Sequence, residues 1–477
     1  MKNPLKSYRE SAPAARSALW FTICNFLQRG TALIVVPIFT RLLTEQQYGV
    51  CNVYFAWFDI FVLFTSLKLP YEGLNNGLIR YEIDKDGYTS AIQSLIMVLT
   101  CAVGLVYWLL RDWLEHYIGL GSFLMAVMFV QLLLNPSLNL WTNRQRFDYR
   151  YRWPVAVTLI STIANPVIAV IAVLNTQYVA EARILSSALV QCSFGLACAV
   201  LLFSRGKKFF HKEYWRFALG FNLPLLPYYL SQSLLHQSDR IMINYYGGSG
   251  QAAVYSVAYT AGTLMLLLTS AVNGSFMPWL YRKMKAEEHG QIRPVIGGFA
   301  LLVGAATLAM MVFSPDIVAI LATDAYSQAI WIIPPVAASV FFVFVYMQFA
   351  NVQMYYGENR GITWISLAAA VANVVLNAIF IPRYGYLAAG WTTLASYVLL
   401  TLLHYVRMRG ICRKHQVSEG VFPEKLLLVL SVGMVLLAGM VLGLYRLGYV
   451  RYLVFAVEAI LLILFRKRMF AFLIVMK

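Results

Sequence analysis

Charge is what this chain has least of. Only 12% of its 477 residues are Asp, Glu, Lys or Arg, while 60% are hydrophobic. A soluble domain carries roughly a quarter charged residues, so a soluble globular body is excluded. Cysteine is scarce too. Five of the six (Cys24, Cys51, Cys101, Cys192 and Cys198) lie inside apolar runs, and Cys412 lies in a basic loop. That distribution offers neither a disulfide framework nor a zinc site. There is no GxxxxGK(S/T) motif and no loop long enough for a nucleotide-binding domain, which argues against an ATP-driven pump on this chain. Alternating strands of the outer-membrane barrel type are missing. So are the large outer loop and paired carboxylates expected of a membrane-embedded glycan polymerase or glycosyltransferase. The expectation is a protein with no cofactor, no metal and no enzymatic activity.

Long apolar runs are what the chain does have. Stretches of 18 or more apolar residues recur from end to end, each the length of a membrane-spanning helix. The first lacks a small-residue cleavage site and reads as a retained helix. Fourteen spans fit between residues 17 and 465, giving an all-α polytopic membrane protein. A net charge of +17 on a soluble protein would point to nucleic acid. Here the cations sit in short loops and set orientation instead. Of 38 Lys and Arg, 29 fall on the side of the N-terminus, 6 on the other side, and Arg29, Lys68 and Arg240 within spans. Both termini are therefore expected in the cytoplasm. The basic loops Asn143–Arg152, Arg205–Arg216 and Arg407–Lys425 also suit attraction to anionic membrane lipids.

The stretch Arg216–Thr263 organises the rest. It is an apolar helix pattern that carries His236, Asp239 and Arg240 where a span should be uniformly apolar. Ionisable groups at that depth are costly and by default face protein or water. A Gly247-Gly248-Ser249-Gly250 turn follows, and then a second apolar helix. The same passage echoes the start of the chain. Setting Gly49 on Ala253, an offset of 204 residues, aligns spans one and two with spans seven and eight. The two copies run in the same direction, six spans each, as in parallel repeats. The expected division is a bundle over 1–204, a second bundle over 205–406, and a basic linker with two further helices over 407–477.

Four pieces carry a family resemblance. They are Leu42-Leu43-Thr44-Glu45-Gln46-Gln47-Tyr48-Gly49, Gly73-Leu74-Asn75-Asn76-Gly77-Leu78-Ile79-Arg80-Tyr81, Ser238-Asp239-Arg240-Ile241-Met242-Ile243 with Val254-Tyr255-Ser256-Val257-Ala258-Tyr259, and Pro382-Arg383-Tyr384-Gly385-Tyr386-Leu387-Ala388-Ala389-Gly390. In their order and spacing the chain resembles the polysaccharide-transport branch of the multidrug/oligosaccharidyl-lipid/polysaccharide exporter superfamily, which includes Wzx-type O-antigen and capsule flippases. The resemblance implies two six-helix bundles forming a V-shaped alternating-access carrier, related by a pseudo-twofold axis, plus two C-terminal helices. It implies movement of an undecaprenyl-diphosphate-linked oligosaccharide across the bacterial cytoplasmic membrane, for O-antigen, capsule or exopolysaccharide synthesis. A polymerase and a chain-length regulator are the partners it implies. The alternative is an ion-coupled drug exporter of the same superfamily, for which acidic cavity residues would be expected.

Candidate residues follow from polar positions inside spans. Asn25 and Arg29 share a face of the first span, and Tyr229, Ser233, His236 and Arg240 share a face of the seventh. Arginine suits a diphosphate because its planar fork gives bidentate donors. Arg29 fits either substrate contact or an ion pair with a carboxylate such as Asp59. Arg240 fits either an anion site or a local Asp239–Arg240 fastening, and His236 either a titrating group or a hydrogen-bonded interior one. Asp59 and Asp239 are the acidic candidates for proton or sodium coupling. Asn373 with Asn377, and Tyr255 with Tyr259, lie one turn apart on other spans. Pro224 and Pro227 predict a bend in the seventh.

Overall fold

The computed structural model describes residues 12–417 and 420–469, and among them every regular element is helical. Contacts divide the chain into two units, Met1–Ser233 and Leu234–Lys477. Twelve runs are long and apolar enough to cross a membrane. The last of them, Glu424–Leu464, contains two helices, and the polar seventh helix is not among the twelve. The protein is thus an all-α, multi-pass membrane protein.

Unit 1 contains α1 (Pro13–Leu42), α2 (Glu45–Ser66), the short α3 (Leu74–Arg80), α4 (Lys85–Leu109) and α5 (Arg111–Ile118). It continues through α6 (Ser122–Phe147), α7 (Arg152–Leu174), α8 (Val179–Gly206) and α9 (Lys212–Asn222) into the first residues of α10 (Leu226–Gly247). The Thr44–Gln47 motif starts α2 as a reciprocal capping box. Gln47 N–H donates to Thr44 Oγ1 at 3.3 Å, and Thr44 N–H donates to Gln47 Oε1 at 3.0 Å. Two otherwise orphaned helix-end donors are satisfied this way. The Gly73–Tyr81 motif has a packing reason. A Cβ on Gly77 would lie 2.0 Å from the Tyr88 ring, so α3 can approach α4 only without a side chain there. Tyr88, Tyr81, Tyr214 and Phe217 then form one aromatic cluster joining α4 and α9.

The predicted bend is a break. The helix pattern over 217–245 splits into α9 and α10 around a tight 3-10 turn at Leu223–Leu225, where Pro224 removes a donor. Pro227 falls in the first turn of α10, where no helical donor is lost. The eighth span also divides, into α11 (Ser249–Gly262) and α12 (Met265–Lys285). At the joint Thr263 Oγ1 bonds back to Tyr259 O at 2.7 Å, a bond that bends helices.

Unit 2 continues with α13 (Ile292–Val312), α14 (Ser314–Leu321), α15 (Ile333–Tyr355), α16 (Asn359–Tyr384), α17 (Leu387–Lys414), α18 (Glu424–Leu444) and α19 (Arg451–Met469). Its axis is α15, which is apolar on all sides from Val336 to Val345 and buried along nearly its whole length. A helix hydrophobic all round belongs inside a bundle. It packs against α11, α12, α13, α17 and α18. Gly385, at φ 72°, turns the chain from α16 into α17 in a conformation that L side chains rarely adopt.

One group on α19 breaks the rules of apolar burial. Glu458 is 8% exposed, with both carboxyl oxygens unpartnered, in the wall of a cavity of about 1080 Å³ lined by α13, α18 and α19. Burying a polar group without a partner costs about 1–3 kcal/mol. Glu458→Leu is therefore expected to stabilise the protein by about that amount, read as a higher unfolding temperature in detergent. A lower one would mean that the carboxyl is held by a favourable interaction.

Candidate functional site

The seventh helix, α10, carries Asp239 into the interior of unit 2. Its carboxylate is fully buried and is held by neutral donors from three other helices. Asn377 Nδ2 on α16 donates to Oδ1 at 2.5 Å, and Thr393 Oγ1 on α17 donates to Oδ2 at 2.7 Å. Tyr255 OH on α11 donates to Oδ2 in a short bond. A second ring of bonds holds these donors. Asn377 Nδ2 also reaches Asn373 Oδ1 at 3.3 Å, Ser238 Oγ donates to the same Asn373 oxygen at 2.9 Å, and Thr392 Oγ1 donates to Asn377 Oδ1. The Asn373 amide nitrogen is buried without a partner. The site therefore has one acidic side chain, an array of amide and hydroxyl oxygens, and no cationic side chain bonded to the carboxyl among the described residues.

Arg240 is next to Asp239 in sequence and makes no ion pair with it. Consecutive residues on a helix point about 100° apart, and the guanidinium goes to another face. Its Nε donates to Ser256 Oγ at 3.1 Å and its Nη1 to Gln237 Oε1 at 2.7 Å. The guanidinium carbon lies 4.8 Å from the centre of the Tyr259 ring. His236 Nδ1 meets the hydroxyl of the same tyrosine at 2.8 Å. Arg240 and His236 are both half-buried. Tyr259 thus links the two ionisable residues, one to its ring and one to its hydroxyl. Both residues fasten α10 to its neighbours, Asp239 to α11, α16 and α17 and Arg240 to α11.

In unit 1, Tyr229 OH donates to Glu72 Oε2 at 2.7 Å, while Ser233 is half-buried. Asp59 lies exposed on α2. Asn25 and Arg29 lie on α1, and their side chains fall outside the described residues.

Sequence reading missed three features. Ser238, Thr392 and Thr393 complete the Asp239 network; the adjacent threonines in an otherwise apolar helix were the available signal. Arg183 reads as a loop charge, but α8 starts at Val179 and takes it in. There its Nη1 donates to Asn165 Oδ1 at 3.1 Å and its guanidinium lies 4.4 Å from the Phe39 ring. The third is a polar chain across the interior of unit 1. Tyr54 OH donates to Gln131 Oε1 at 2.9 Å, and Gln131 Nε2 donates to Gln191 Oε1 at 2.6 Å.

The Asp239 cage makes a stability prediction. Asn377→Ala removes one donor from a buried carboxyl and one of the two acceptors of Thr392 Oγ1, which keeps only Ala389 O. Stability is expected to fall by about 1–3 kcal/mol, measured by thermal unfolding of the purified protein. An unchanged midpoint would show that the carboxylate does not depend on this bond.

Over residues 14–284 the chain matches the family described as "Polysaccharide biosynthesis protein". A protein of the Lsg locus of Haemophilus influenzae is 22% identical over 361 residues, covering 72% of this chain and 84% of that protein. Among solved structures, the lipid II flippase MurJ in an inward closed conformation is similar at a TM-score of 0.70 and 13% identity, covering 96% of this chain and all of MurJ. An inward-facing multidrug resistance MATE family transporter of the MOP superfamily is similar at 0.56 and 13% identity, covering 83% of this chain and 99% of that one. At such identities the structural likeness is one of fold. The match to the family covers more than half of the residues and includes the first three of the four motif pieces, so the chain belongs to the polysaccharide biosynthesis protein family.

Proposed function

We propose that the protein is a flippase that moves an undecaprenyl-diphosphate-linked oligosaccharide from the cytoplasmic to the outer leaflet of the bacterial inner membrane by alternating access. Membership of the family supports a role in polysaccharide synthesis, and the likeness in fold to a lipid II flippase supports a lipid-linked substrate. The observation that carries the reading is the half-buried Arg240 guanidinium on a membrane-embedded helix, held by neutral groups and not by a carboxylate. A diphosphate can take the place of the missing counter-ion, and a guanidinium fork binds it with two parallel bonds. Arg29, Asn25, Tyr229, Ser233 and His236 are proposed to meet the remaining phosphate oxygens and sugar hydroxyls. The bundles are proposed at 1–204 and 205–406, with 407–477 appended and both termini in the cytoplasm. A polysaccharide polymerase and a chain-length regulator are the proposed partners.

Asp239, with Asp59, is proposed to couple transport to a proton or sodium gradient. What supports Asp239 is the neutral character of its surroundings. A carboxylate paired with arginine would have no use for an added cation, whereas one ringed by amide and hydroxyl groups gains a counter-charge by binding one.

The test is translocation of a fluorescent undecaprenyl-diphosphate oligosaccharide in liposomes. Arg240→Ala is expected to slow transport about tenfold or more, since a hydrogen bond to a charged group contributes about 1.5–3 kcal/mol. Asp239→Asn is expected to remove the dependence on an imposed gradient. Failure of the folded wild type under either gradient would overturn the flippase reading and favour transport of a small molecule, as by the MATE transporters of similar fold. Full activity in both variants would keep the function and overturn the site.

A further inference from the structure

The end of unit 1 where α4, α6 and α8 meet holds a small polar cavity that the transport reading does not use. Its volume is about 120 Å³, well above the ~10–15 Å³ one water needs, so it has room for a compact polyatomic ion. Arg144, Arg150 and Arg205 line it, with Asp86 and Asp148.

Local structure explains why three arginines converge. The end of α6 is a Schellman turn: Tyr149 adopts φ 57°, its N–H bonds to Arg146 O at 3.0 Å, and Arg150 N–H bonds to Gln145 O at 2.9 Å. That turn folds Arg150 back beside Arg144. At the end of α8, a Cβ on Gly206 would lie 2.2 Å from Asp86 O, so the bare glycine lets α8 close on α4 and places Arg205 at the same cavity.

The charges are not balanced within it. Arg144 takes both carboxylates, through Nη1 to Asp148 Oδ2 at 2.5 Å and Nη2 to Asp86 Oδ1 at 3.3 Å. Its Nε is buried with no partner. Arg150 and Arg205 make no ion pair with either Asp. With three arginines against two aspartates the cavity keeps one net positive charge, and Arg150 and Arg205 are the two arginines not paired within it.

The walls point to the kind of anion. Leu201 borders the cavity and is 40% exposed, and Trp141 lines it as well. On the loop that follows α8, Phe209 and Phe210 are also exposed. Aromatic and aliphatic groups beside a basic pocket mark the level of lipid headgroups. We infer that this cavity is a binding site for a phosphate group, a phosphodiester of an anionic membrane lipid, held by Arg150 and Arg205. Orientation by charge puts this end of the unit on the cytoplasmic side, where anionic lipids are richest. The inference does not depend on what the protein transports.

Native mass spectrometry of the detergent-solubilised full chain tests it, with phosphatidylglycerol, phosphatidylcholine and inorganic phosphate as probes. Wild type is expected to retain phosphatidylglycerol over phosphatidylcholine. Each of Arg150→Gln and Arg205→Gln is expected to weaken that retention about fivefold, the effect of one surface arginine near an anionic headgroup. Arg446→Gln, on an exposed loop of unit 2, is expected to leave it unchanged. No preference in wild type, or an equal loss in Arg446→Gln, would overturn the site. Binding of inorganic phosphate, lost in the same two variants, without any lipid preference would overturn the lipid as its source.

Discussion

A carboxylate at membrane depth needs donors from the protein itself, and meeting that need at Asp239 organises unit 2. Hydrocarbon offers no water to complete a polar group's bonds. Tyr255, Asn377 and Thr393 arrive from α11, α16 and α17, so three helices are pinned to α10 at one point. Each such bond contributes modestly within a membrane, about 0.6–2 kcal/mol. Their effect on geometry is larger than their sum, because a displaced helix would leave both the carboxylate and its own donor unpaired. The largely apolar first half of α15 adds packing without direction, while the Asp239 network sets register.

That division explains what can be read from the sequence. A helix segment apolar on nearly every side, such as the first half of α15, is legible because burial alone decides it. Motifs near chain turns are legible because local chemistry decides them: Thr44 with Gln47 caps α2, Gly77 lets α3 approach Tyr88, and Gly385 turns α16 into α17. Asp239, Asn373, Asn377 and Tyr255 stand out singly as polar residues in apolar runs. Their meeting is not legible, since Asp239 and Thr393 are 154 positions apart.

Arg183 shows the opposite failure. Counting cations by loop treats a charge near a helix end as a topology signal, and the rule is statistical. The start of α8 lies more than a turn before the apolar run counted from residue 184, because the charged Glu181 and Arg183 interrupt its first turns. The side chain then finds Asn165 and the faces of Phe39 and Phe55 inside unit 1. A guanidinium tolerates such a place because aromatic faces attract it and it sheds hydration more readily than an ammonium.

The helix least qualified as a span by hydropathy is also the one that carries the candidate site. Among the long helices of the core, α10 falls outside the runs apolar enough to cross a membrane. The cause is its polar content, from Ser231 through Gln237 to Asn244. Packing alone would not select such a helix, since each polar group in it has to be met by a neighbour. Leucine at those positions would spare the core the need for such partners, but would give up the register that the Asp239 network sets. The polar groups stand together, with Arg240 and Asp239 pointing to different faces and answered by different neighbours. That separation would suit the coupled transport proposed above, with an anion bound at one face and a cation at the other.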